Sequence, residues 1–376
     1  MTKGKIANRS SQSARGLRMA LLGLVFLAAV SVAASAQTYI EFEAPGAGTA
    51  PTQGTFPLTI NTDGVIAGYY FDAIDVHHGF VGSAGGTITS IDVPGAFGTI
   101  ADSINSSGLV AGHYDDANAV HHGFVRSASG KISSFDAPGA GKNIQQGTLP
   151  QSINTAGVIA GYCVCKGKHG FVRSAGGKIT NFDAPDASGT LAFSINTGGA
   201  IAGYYFDASG VYHGFVRSAS GTTTSFDAPG AGKNEHTGFA QGTFAKSMNT
   251  DGVIAGYYVD ASDGYHGFVR SADGTIKTLD APGAGKGRSA LTGAPLGTTA
   301  LSIGDDGVIV GYYSDANEVY HGFVVSASGA ITTFNAPGAG TTLATGTYPI
   351  SINDNGVIVG YYSDPNDVYH GFQLTP

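Results

Sequence analysis

Aspartate and histidine recur in this chain at one fixed separation. The pairs are Asp72/His78, Asp116/His122, Asp207/His213, Asp260/His266, Asp315/His321 and Asp364/His370, each six positions apart. A carboxylate set opposite an imidazole can transfer protons, help to ligate a metal, or hydrogen-bond to hold a loop. Catalysis rarely needs six equivalent sites, so the repetition favours a structural role: a cross-strand bond that ties two strands beside the loop joining them. One repeat departs from the pattern. Cys163-Val164-Cys165 stands where the others have Tyr and Asp, and the loop before His169 is shorter. Cys163, Cys165 and His169 supply three metal ligands and no clear fourth, a weak zinc pattern. A local disulfide between Cys163 and Cys165 is the alternative, although residues i and i+2 of a strand sit near the upper Cα limit for a bridge. Two free thiols are the third reading.

Other motifs carry less chemistry. Gly139–Lys142 and Gly230–Lys233 both read Gly-Ala-Gly-Lys, without the spacing or the following helix of a phosphate loop. No Gly-x-Ser-x-Gly elbow precedes a helix. Asp251-Gly252 and Asp354-Asn355-Gly356 read as hairpin turns rather than calcium loops. The sequence therefore assigns no catalytic residue, no cofactor and no metal.

The elements that must position these side chains form a repeat. His-Gly-Phe begins at His78, His122, His169, His213, His266, His321 and His370, at intervals of 44 to 55 residues. That interval suits one four-stranded blade per repeat. In the fourth repeat, Phe193–Asn196 reads as inner strand a, 200–207 as strand b, His213–Arg217 as strand c and Thr223–Pro229 as strand d. Gly and Asn in the intervening turns supply the positive φ that tight hairpins need. The chain ends settle the architecture. Tyr39–Pro45 is a lone strand d, and the last repeat stops after its strand c at His370–Leu374. Joining them removes an exposed sheet edge. The expectation is an all-β, closed seven-bladed β-propeller of four antiparallel strands per blade, completed by the N-terminal strand.

These motifs resemble the HAF family of extracellular repeats, named for a His-Ala-Phe signature. Here the signature is His-Gly-Phe, preceded by Ile-Asn-x-x-Gly-x-Ile-x-Gly, as in Ile153 to Gly161. Strand d ends Phe-Asp-Ala-Pro-Gly where many members carry a Leu-Gly-x-Leu-Gly-Gly-like stretch, which marks a variant subgroup. The resemblance covers all seven repeats and implies secretion and repeat architecture. It implies no reaction.

Residues 1–36 read as a signal peptide: five basic residues, an apolar run from Met19 to Val32, then Ala34-Ser35-Ala36. Residues 37–376 then form a single propeller domain, secreted to the periplasm or beyond the cell, with no membrane span after cleavage. Loss of the five basic residues takes the net charge from −8 to −13, which argues against nucleic-acid partners. In a four-stranded blade the b–c and d–a connections share one face. The d–a connections vary most, Gly230–Ala245 being among the longest. Variable loops on a rigid scaffold are where binding usually resides. The candidate face therefore carries His236, Phe239, Phe244, Lys142, Lys233 and Arg288. On the opposite rim, Arg126, Arg173, Arg217 and Arg270 end strand c and read as solvated charge. The expected function is a monomeric, non-catalytic scaffold that binds an extracellular polymer, such as a glycan, or a protein. The alternative is a secreted lyase or hydrolase with its site at the axial funnel.

Overall fold

A Cβ on Gly214 would lie 2.5 Å from the Phe226 ring, and one on Gly203 would lie 2.1 Å from the carbonyl oxygen of Leu191. Those two contacts explain the glycines of the repeat: strand c must let the strand-d aromatic lie across it, and strand b must approach strand a closely. The Phe of His-Gly-Phe is fully buried in every copy, from Phe80 to Phe372. The computed structural model that places them describes residues 38–233 and 240–376, where every regular element is a strand, twenty-eight in number. Residues 1–36, His236 and Phe239 lie outside the described residues. No helix of the described residues is long and apolar enough to cross a membrane.

The fourth repeat shows the unit. Strands a (Gly189–Ile195), b (Ile201–Phe206), c (Tyr212–Arg217) and d (Thr223–Phe226) pair in succession, all antiparallel. Strand a is longer than the sequence suggested. Its first half, Gly189–Ala192, is buried and paired, and a register shift between Ala192 and Ser194 leaves Phe193 as a bulge. The bulge breaks the two-residue alternation that marks a strand, so sequence reading started the strand after it. A shift at the same place recurs in every repeat, one residue wider in the second, between Ile100 and Ser103.

Neighbouring repeats are joined by side chains. Thr190 Oγ1 accepts a bond from the Ala184 amide at 3.0 Å, and Ser152 Oγ accepts one from the Ile195 amide at 3.2 Å. The core is accordingly a series of clusters, each shared by two successive repeats: Ala160 and Ala184 of the third pack with Ile195, Ile201, Tyr205 and Phe215 of the fourth. The last and first repeats meet in the same way, through Val359, Phe42, Ile66 and Phe80.

The N-terminal strand, Thr38–Phe42, pairs antiparallel with the final strand, Tyr369–Thr375, from Thr38↔Thr375 to Phe42↔Gly371. Tyr369 also bridges to Gly54, and Asn353 Nδ2 donates to Asn61 O at 2.9 Å. The sheet thus returns on itself, with the chain's two ends in one ladder.

Candidate functional site

The b–c aspartate is first of all a turn cap. Asp72 Oδ1 accepts the amides of Ile74 and Val76, both at 2.9 Å, and its counterparts do the same, as Asp364 does for Asn366 and Val368. Its second oxygen faces the histidine six residues on. The six Nε2–Oδ2 distances are 3.4, 3.8, 3.5, 3.3, 3.6 and 3.9 Å in chain order. The tighter partner is one the sequence reading did not assign. Nδ1–H of each histidine donates to a strand-d side chain fourteen residues later: His78 to Asp92 at 2.7 Å, His122 to Asp136 at 2.9 Å, His169 to Asp183 at 2.9 Å, His213 to Asp227 at 2.9 Å, His266 to Asp280 at 3.0 Å and His321 to Asn335 at 2.8 Å. His370 has no strand d after it and takes Glu43 of the N-terminal strand, at 2.6 Å. The constant fourteen-residue spacing was the available signal.

Strand b completes the clasp by stacking a tyrosine on the imidazole, as Tyr258 on His266 at 4.9 Å between centroids. Bridging two carboxylates raises the pKa of His266, chiefly through Asp280, and of His78, where burial opposes Asp92 and Asp72 but is outweighed. In the third repeat Cys163 replaces that tyrosine, and the His169 side chain is 39% exposed, against 21% for His213. Of the three readings of Cys163 and Cys165, the structure has the two free thiols. The Cys163 side chain turns into the core beside Asn181, and burial pushes its thiol up to about 12. His169 is committed to Asp183.

The b–c and d–a loops do share a face: Gln53 Nε2 donates to Asp75 Oδ1 at 2.8 Å, and Thr292 Oγ1 to Glu318 Oε1 at 2.7 Å. Lys142 and Lys233 are exposed there. Arg288 is clasped to the buried Asp263, its Nη2 at 2.7 Å. Phe244 must be removed from this face. It lies in strand a (Gly242–Met248), 6% exposed, stacked between Tyr212 and Tyr257. Sequence reading placed it in a loop because it precedes the bulge. The rim arginines are not simply solvated either. Arg173, Arg217 and Arg270 each lie over the strand-d Phe of the preceding repeat, Phe135, Phe182 and Phe226, at 4.8, 4.6 and 4.9 Å.

Three cavities on the loop face are copies of one another. In the first, second and fourth repeats they measure about 320, 570 and 210 Å³. Each is walled by the clasp histidine, its strand-d aspartate and the Gly-Ala step of the d–a connection; Lys142 and Lys233 edge the second and fourth.

The repeat symmetry fails around the axis. The bulge residues are Leu58, Asp102, Gln151, Phe193, Lys246, Leu301 and Ile350, all half-buried. Beside them strand b contributes Tyr69, His113, Tyr162, Tyr204, Tyr257, Tyr312 and Tyr361. Burial holds these phenols protonated; those of Tyr69 and Tyr162, with the Asp102 charge adding to it, and of Tyr312, beside Tyr320 and Tyr265, rise to about 12. Lys246 Nζ sits 3.9 Å above the Phe193 ring, and desolvation lowers its pKa to about 8. Five ionisable groups gather in the first two repeats. His113 Nδ1 donates to Asp102 Oδ2 at 2.8 Å, the His113 ring meets His121 edge-on at 5.6 Å, His121 bonds Asp115, and His77 Nε2 lies 3.4 Å from Asp115 Oδ2. Burial opposes charge on both members, yet Asp102 and Asp115 raise the pKa of His113, and His121 and His77 hold Asp115 well below the usual carboxylate range. Sequence reading missed this cluster because it compared motifs and left the columns between them uncompared. Asp102 and Lys246 stand where most repeats have apolar residues.

The far mouth of the axis is ringed by asparagines. Asn61, Asn105, Asn154, Asn196 and Asn249 each donate to the backbone of the next repeat, at 2.9 to 3.3 Å. Gly304, lacking a side chain, interrupts the ring, and the Asp305 amide reaches Asp354 Oδ1 at 3.4 Å instead. The opening they line measures about 240 Å³.

No family model and no curated protein matches the chain. Solved structures do. A variant of puromycin hydrolase aligns over 88% of this chain and 51% of its own, at 11% identity and TM-score 0.51. The BP39L lectin from Burkholderia pseudomallei aligns over 82% and 92%, at 8% identity and TM-score 0.50. The β-propeller domain of the trilobed protease from Pyrococcus furiosus aligns over 89% and 95%, at 9% identity and TM-score 0.49. This chain spans about half the length of the hydrolase. At such identities the likeness is one of fold, and the fold is a β-propeller.

Proposed function

We propose that this chain is a closed seven-bladed propeller of the HAF-repeat type, secreted after loss of residues 1–36, and that it works as a non-catalytic, multivalent binding module. The supporting observation is the recurrence of one cavity on the loop face, with the same histidine, aspartate and Gly-Ala wall in three repeats. Carboxylates such as Asp92, Asp136 and Asp227 stand half-exposed at these cavities and present acceptors to hydroxyl donors. Hydroxyl-rich polymers suit that chemistry, and several weak, equivalent sites on one rigid disc multiply affinity through avidity. A monomer suffices, and the acidic surface disfavours nucleic acid.

A glycan array probed with residues 37–376 tests this reading. Polymeric or clustered ligands should be retained, and the matching monovalent sugar should bind at least tenfold more weakly. Replacing Asp136 and Asp227 together by Ala should weaken retention. Equal affinity for monovalent and clustered forms, or no effect of the double replacement, defeats the proposal. A second reading, a lyase or hydrolase acting at the axial funnel, draws on the cluster of Asp102, His113, His121, Asp115 and His77. Its neighbours in fold include a lectin and a hydrolase, so the fold does not choose between the two. Turnover of any bound polymer that disappears in Asp102→Asn would favour the second.

A further inference from the structure

We propose that the axial belt is a binding site for a small organic carboxylate, with Lys246 as the cation that receives it. The site is separate from the loop-face cavities and does not depend on the reading given to them. Lys246 occupies the bulge of its strand a, where the register shift between Ala245 and Ser247 leaves it outside the ladder. Its ammonium faces the Phe193 ring at 3.9 Å and the Tyr204 ring at 6.0 Å. Among the described residues, no carboxylate lies within ion-pair distance of it. The other charged residue of the belt, Asp102, is bonded to His113 three repeats away and does not neutralise it.

A desolvated ammonium without a counter-ion is costly, and aromatic faces offset only part of that cost. An incoming anion removes it. The surroundings select the kind of anion. Tyr204 and Tyr257 have hydroxyls with no recorded hydrogen-bond partner among the described residues, held protonated by their burial, and so are donors to a carboxylate. Leu301, Ile350 and Leu58 occupy the same belt position on the following repeats and offer an apolar wall. An inorganic ion uses the first feature and wastes the second; a carboxylate on an apolar or aromatic body uses both. Space for such a molecule exists nearby: the opening ringed by asparagines measures about 240 Å³, and a cavity between the fifth and sixth repeats, walled by Tyr257 together with Tyr265, Tyr312 and Tyr320, about 210 Å³. A cavity of roughly 150 Å³ holds benzene.

Calorimetric titration of the full chain with benzoate and with benzamide, its neutral isostere, tests the site. Benzoate should bind at least tenfold more tightly than benzamide. Lys246→Met should abolish that preference while melting no lower than the parent, since it replaces a desolvated charge by an apolar chain of similar length, and Lys246→Arg should keep it. Equal binding of benzoate and benzamide by the parent overturns the proposal, as does an undiminished preference in Lys246→Met. Retention on a glycan surface should be the same in the parent and in Lys246→Met, so failure here leaves the loop-face reading standing, and the reverse.

Discussion

Strand c carries His-Gly-Phe in every repeat, while the bulge of strand a carries Leu58, Asp102, Gln151, Phe193, Lys246, Leu301 and Ile350. Both positions recur at the same place in every repeat. They differ in what surrounds them. The phenylalanine of strand c is enclosed between two repeats, and the glycine before it lies under the strand-d side chain, so almost no other residue fits. The bulge residue is only half-buried, and packing dictates less there. Where geometry constrains, the repeats agree. Where it does not, residues have diverged, and Asp102 and Lys246 bring charge to a position that is apolar in most repeats.

The largest effect that could break this contrast is a pair of truncations. Phe215→Ala should cost about 3–5 kcal/mol, the range for a large side chain removed from a closed core. Leu301→Ala, on the half-buried bulge, should cost no more than about 1 kcal/mol. Urea unfolding of both variants measures the difference, and equal losses would show that the belt is packed as tightly as the core.

A smaller effect probes the uniform side. In every b–c loop but the shorter third one, the residue before the end has positive φ: Asp75, Ala119, Asp263, Glu318 and Asp367 lie at 55° to 64°, and the fourth repeat already uses Gly210 at 75°. Ala119 has a short apolar side chain that gains nothing from that conformation. Ala119→Gly should therefore raise stability by about 1 kcal/mol. A loss on thermal melting would mean that this loop is held by its side chain after all.

The smallest effect is the clasp itself. His266 titrates above its ordinary value, so its contribution to stability is fully present below the unfolded pKa near 6.5 and is lost as pH rises through the folded one. Asp260, where burial opposes but the Gly264 amide and Ser262 prevail, titrates below 3.8; its contribution is present above that value and is lost as pH falls through the lowered one. The partners are partly exposed, Asp280 by 54%, which limits each pair to about 0.5 kcal/mol. Melting curves of His266→Gln should show a smaller decline in stability between about pH 6.5 and 8 than the parent. An unchanged slope would reduce the clasp to shape alone.

The fold was legible because its punctuation repeats. Gly203 and Gly214 recur for steric reasons, Asn196 caps the a–b turn by accepting the Ala200 amide at 2.9 Å, and the unmatched N-terminal strand announced its partner. The site was much less legible. The bulge concealed the first half of strand a, and with it the placement of Phe244 and the belt that holds Lys246. Asp102 and His113 are eleven residues apart and meet because strands a and b pair across the bulge, which no motif spacing reveals. The fourteen-residue partner of each histidine was visible as a spacing, but its meaning required knowing that strand d returns beside strand c.

The joining of Thr38–Phe42 to Gly371–Thr375 also orders events in time. Strand Thr38–Phe42 is made before all seven repeats and must wait for its partner, Tyr369–Thr375, which follows them. The repeats between can assemble one against the next as they emerge, through contacts local in sequence. Closure alone spans the whole chain, and a polypeptide stopped before Tyr369 would retain a bare strand edge at each end of an open stack. Synthesis of Tyr369–Thr375 is thus the step that lets the last sticky edge be buried, and a product truncated before it advertises itself by the edges it leaves exposed.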